Sequence, residues 1–122
     1  MNTLISVCIG ASFGASCRYA IGIMFKQAAF PVATMIVNVV GCFLMGLCWS
    51  LLDYYNVSAG LKVFFITGFL GSFTTFSAFG YDIYQLYIQH DVKVAIGYVV
   101  AMNIGGVLCL LLGVSLSKLI RW

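Results

Sequence analysis

The chain has 122 residues, 63% of them hydrophobic and only 7% charged. A soluble domain carries about a quarter charged residues, so this sequence cannot cover a globule with water-compatible side chains, and its length allows one domain. The six basic residues are scattered, so the net charge of +3 marks no nucleic-acid patch.

Four apolar runs follow one another, over residues 3–24, 32–52, 61–89 and 95–117. Each is long enough to cross a hydrocarbon core of about 30 Å. The first has no basic leader and no cleavage site, and is expected to stay as a helix. It carries Gly10, Gly14 and Ala15, a small-residue pattern that allows close helix packing. Arg18 lies roughly 10 Å from its end at helical rise. Snorkelling to the headgroups accounts for that charge, and so does a vestibule that concentrates anions. Pro31 stands just before the second run, where helices tolerate it. On that run Thr34, Asn38 and Gly41 share one face.

The third run would be about 42 Å long as one helix. Its middle, residues 68–80, holds three glycines, two threonines and two serines. Two readings stand. The helix is broken, and the freed backbone groups face protein, water or an ion; or it is continuous, with its hydroxyls bonded to its own carbonyls. Arg18 and Asp82 are the two charges lying clearly inside spans, away from their ends. The fourth run places Asn103, Gly106, Gly113 and Ser117 on one face.

The connections are short and hold most of the charge. With four spans both termini share a side, which carries Lys62, Lys118 and Arg121; the other side carries Lys26 and Lys93, with Arg18 if it reaches that far. Neither side has a clear basic excess, so the positive-inside rule gives no orientation. Dual topology follows, with oppositely inserted copies able to pair. The five cysteines lack metal-type spacing and read as packing residues.

Three segments resemble the Fluc/CrcB fluoride channel family. Gly10-Ala11, Gly14-Ala15 and Arg18-Tyr19 look like its G-G-x-x-G-A-x-x-R-Y opening, with Ala11 for the second glycine. Residues 34–46 are similar to G-T-x-x-V-N-x-x-G-S-F-x-x-G, with Ala33 for the leading glycine and Cys42 for serine. Residues 68–79 resemble G-F-x-G-G-x-T-T-F-S-T-F, with Ser72 and Ala78 as departures. The resemblance implies an all-α integral membrane protein with a broken third helix, working as an antiparallel homodimer with two pores in a bacterial inner membrane. It implies a central structural sodium ion on the main-chain carbonyls of Gly71 and Thr74, and pore roles for Phe76, Phe79 and Asn38. Its hydroxyl track falls on Ser77, with one hydroxyl lost at Ala78. The fourth-helix match is loose and falls on Asn103.

These residue types suit fluoride, a small ion whose tightly held water must be replaced by donors. The Asn38 amide and the Thr75 and Ser77 hydroxyls donate. Aromatic edges at Phe76 and Phe79 are positive without being charged, and conduction requires release as well as binding. Simple packing is the plain alternative for the phenylalanines, and an interhelical hydrogen bond for Asn38. The competing function is a small dual-topology multidrug or cation exporter. That needs an acid deep in a helix, and the chain has no glutamate and only Asp82 to offer. An enzyme is not expected, because no nucleophile–base pair is present. The expected partners are fluoride, lipid and a second copy.

Overall fold

The computed structural model describes residues 2–121, and all secondary structure among them is helical. α1 spans Thr3–Met24, and the Asn2 side chain opens it by accepting from the Leu4 N–H at 3.1 Å. α2 spans Val32–Tyr54, directly after Pro31. A short α3, Ala59–Val63, passes into a π-helical stretch over Phe64–Leu70, then into α4, Gly71–Phe73, and α5, Phe76–Gln89. α6 spans Val92–Ile120. Four paths are long and apolar enough to cross a membrane: Thr3–Met24, Val32–Tyr54, Ala59–Gln89 and Val92–Ile120.

The fourth path outruns the apolar run 95–117 by three residues at each end. Asp91 is the reason at the start, because its carboxylate accepts from the Val94 N–H at 2.9 Å and caps the first turn. At the far end Arg121 donates to the Ser50 carbonyl at 2.7 Å and to the Ser50 hydroxyl, and its guanidinium lies 4.9 Å from the Tyr54 ring centroid. The buried Ser117 hydroxyl meets Ser50 Oγ at 2.7 Å. This clasp holds the ends of α2 and α6 together.

Glycines decide which helices touch. A Cβ on Gly46 would collide with the Leu110 carbonyl oxygen, and one on Gly113 with that of Phe43. α2 and α6 therefore run backbone against backbone, as small residues permit inside membranes. Gly10 and Gly14 do the same for α1, facing the Phe64 and Phe69 carbonyl oxygens of the π-helical stretch. All four contacts lie within one chain. Where α5 meets α6, Phe79, Leu86, Ala95, Tyr98 and Met102 form the buried apolar core, with Met35 and Val39 of α2 against it.

Candidate functional site

The site is organised by the backbone between α4 and α5. Thr74 (φ −76°, ψ 157°) and Thr75 (φ −149°, ψ 120°) are both extended, a conformation that suits β-branched residues. The Thr74 hydroxyl bonds back to the Leu70 carbonyl at 3.0 Å. Thr75 Oγ1 accepts from the Ala78 N–H at 3.2 Å and so caps α5.

Asn38, from the second turn of α2, completes the arrangement with two hydrogen bonds. Its Oδ1 accepts from the Thr75 N–H at 2.8 Å, and its Nδ2 donates to the Thr75 carbonyl at 3.0 Å. In an unbroken helix the Thr75 N–H would bond the Gly71 carbonyl, and the Ala78 N–H would bond that of Thr74. Here both donors go to side chains. The Gly71 and Thr74 carbonyls thereby lose those helical partners. Main-chain carbonyl oxygens are of the donor type that suits hard cations.

Two cavities meet at Asn38 and Phe76. One, of about 250 Å³, is lined by Asn38, Cys42, Met45, Thr74, Thr75 and Leu110 as well as Phe76. The other, of about 120 Å³, adds Phe79, Met102 and Asn103. Phe76 and Phe79 stand one turn apart with ring centroids 5.7 Å from each other at 49°. Their environments differ sharply: Phe76 is 83% exposed on the single chain and Phe79 only 7%. Behind Phe79, the Tyr98 ring packs at 5.3 Å. Ser77 Oγ lies 3.3 Å from Thr75 Oγ1. The exposed Asn103 donates to the Val99 carbonyl at 2.8 Å and still lines the second cavity with Asn38.

The family model described as "CrcB-like protein, Camphor Resistance (CrcB)" matches residues 5–114. The chain belongs to the CrcB-like family. A relative from Chloroflexus aurantiacus, "Fluoride-specific ion channel FluC", is 37% identical over 122 residues, covering 97% of each chain. A protein of the same name from Parabacteroides distasonis is 37% identical over 113 residues, 90% of this chain and 88% of its own. "Fluoride-specific ion channel FluC 2" from Listeria innocua is 39% identical over 115 residues, 93% of this chain and 89% of its own.

Arg18 and Asp82 of this CrcB-like chain do not pair with each other. Asp82 accepts from the Tyr98 hydroxyl at 3.2 Å and lines a cavity of about 170 Å³ with Phe30, Pro31, Gln85 and Gln89. Arg18 is half-buried, with no hydrogen bond or ion pair among the described residues. Asn38, Thr75, Phe76, Ser77, Phe79 and Asn103 are brought together; Arg18 and Asp82 lie apart from them. Sequence reasoning missed Met45, Met102 and Tyr98. Met45 follows Asn38 at i+7, a spacing that could have found it. Tyr98 gave no such signal.

Proposed function

We propose that this chain is a passive fluoride channel. The observation that carries the reading is the Asn38 amide, bonded to both main-chain groups of Thr75 where the two cavities meet at Phe76. One Nδ2 proton is held by the Thr75 carbonyl, and the amide's second proton is left to donate. The Ser77 hydroxyl and the edges of Phe76 and Phe79 extend that donor surface. An anion shedding water at these two cavities meets donors and positive ring edges with no ammonium among the lining residues, so it is bound without being trapped.

The working unit is an antiparallel homodimer of dual-topology copies in a bacterial inner membrane, with two pores and both copies lining each. Several features support this. The basic residues are balanced between the two sides, and Phe76 stands 83% exposed on one chain although it lines both cavities. The interruption at Thr74 and Thr75 is the functional break of the third span. The Gly71 and Thr74 carbonyls of two copies would hold a structural sodium ion, which would supply the positive charge that fixes the breaks against each other. Relatives named as fluoride-specific channels support the choice of ion. The exporter reading is disfavoured because no carboxylate lines either cavity at Asn38.

The reading is tested with proteoliposomes loaded with potassium fluoride or potassium chloride and permeabilised to potassium. Fluoride should leave rapidly and chloride should stay; equal rates, or no fluoride release, would overturn it. Topology is tested separately by a reporter fused after Trp122. It should be found on both sides in comparable amounts, and a one-sided result sinks the antiparallel dimer.

A further inference from the structure

The face of α2 that carries Asn38 does not end at the cavities. At about 100° per residue, Asn38, Cys42, Met45, Trp49, Leu52 and Asp53 fall within a stripe about 100° wide. The stripe climbs about 22 Å, from the second turn to the end of α2. Cys42 and Met45 line the first cavity. One turn further, Trp49 lines two more cavities, one of about 250 Å³ shared with Lys62, Val63, Ile66 and Thr67. The smaller one contains Asp53 and Lys62. Separate cavities thus recur along this single helix face, the first reaching Met45 and the next beginning one turn on at Trp49, beside the charged rim.

At that rim Lys62 Nζ lies 3.2 Å from Asp53 Oδ1, in the one ion pair among the described residues. The side chains are 33% and 72% exposed. The lysine lines both cavities, whereas its more exposed carboxylate partner lines only the smaller one. An exposed pair of this kind contributes little to stability. Its effect on a passing anion is larger, because the lysine attracts and the aspartate offsets that attraction.

We propose that this row of cavities is a mouth of the conduction route, with Lys62 as the residue that collects the anion and Asp53 as the residue that limits its pull. The inference rests on the fluoride-channel reading above and adds the route's end and the residues that set its rate. A unit charge felt at about 10 Å in water changes local anion concentration about twofold. Lys62→Gln should then lower initial fluoride efflux about twofold, and Lys62→Glu about fourfold. Asp53→Asn should raise it about twofold. With 1 M of a salt of an impermeant anion, where the Debye length is about 3 Å, the four proteins should converge.

The experiment is fluoride efflux from proteoliposomes at about 10 mM and 1 M ionic strength. Wild-type flux establishes the channel reading independently of the variants. Given that flux, the order Glu below Gln below wild type below Asp53→Asn at low salt, merging at high salt, supports the mouth. The same rate in all four at low salt overturns it. So does an order that persists unchanged at 1 M. Misfolding cannot imitate the outcome, since Asp53→Asn calls for a gain.

Discussion

Replacing Asn38 with leucine removes a partner that the structure uses twice. The Thr75 N–H, bonded to the amide at 2.8 Å, is left without a partner. The Thr75 carbonyl loses the amide bond at 3.0 Å but, at the N-cap of α5, keeps the first bond of that helix. An unsatisfied buried polar group costs about 1–3 kcal/mol, and the interruption loses about that much support through the N–H alone. The Thr75 N–H then has an alternative: it can return to the Gly71 carbonyl and extend α4, which closes the interruption. Either outcome should lower fluoride efflux at least tenfold, a loss that needs only about 1.4 kcal/mol along the path. The melting temperature of the detergent-solubilised protein should fall as well. Asn38→Asp separates the two roles of the amide. It keeps an acceptor for the Thr75 N–H, but sets an oxygen against the Thr75 carbonyl and adds a charge that repels the anion. Asparagine to aspartate should therefore reduce flux at least as much as leucine does. An Asn38→Leu protein with wild-type melting and wild-type efflux would refute the assignment of Asn38 as the partner that holds the interruption open.

Two further perturbations address the ring pair and the glycine contacts. Phe76→Ile and Phe79→Ile keep most of the apolar volume, and such swaps usually cost less than about 1.5 kcal/mol in stability. Efflux should nevertheless fall at least tenfold in each, and normal flux in both folded variants would falsify the ring-edge mechanism. Gly113→Val drives a side chain onto the Phe43 carbonyl, with the Leu47 nitrogen 2.8 Å from its Cβ; it should destabilise by more than the 1–3 kcal/mol typical of overpacking. Gly22→Ala, with nothing within 4 Å of its Cβ, should instead hold or raise the melting temperature, and equal melting of the two variants would contradict the contact pattern.

Composition and run length alone were enough to show four membrane-crossing helices, because hydrocarbon thickness is counted in consecutive residues and needs no knowledge of neighbours. Local chemistry also marked residues 68–80 as poor helix, since Gly, Ser and Thr disfavour an uninterrupted one wherever they sit. The Phe76–Phe79 spacing put the two rings one turn apart. Tertiary structure decided what those features do. It brought Asn38 to a backbone 37 residues away in sequence, and so chose which main-chain groups are bonded and which carbonyls lose their helical partners. It placed Tyr98 behind Phe79 and left Phe76 on the surface, although the two phenylalanines are the same residue on the same helix. It turned the small residues of α1, α2 and α6 inward, onto carbonyl oxygens of their own chain, and paired Asp82 with Tyr98 instead of Arg18. The π-helical stretch over Phe64–Leu70 packs against Gly10 and Gly14, and no window of sequence around it contains those glycines. Each of these outcomes depends on how close two helices come and at what angle they cross. Those distances are settled by packing over the whole chain, whereas span length and local helix preference are settled residue by residue.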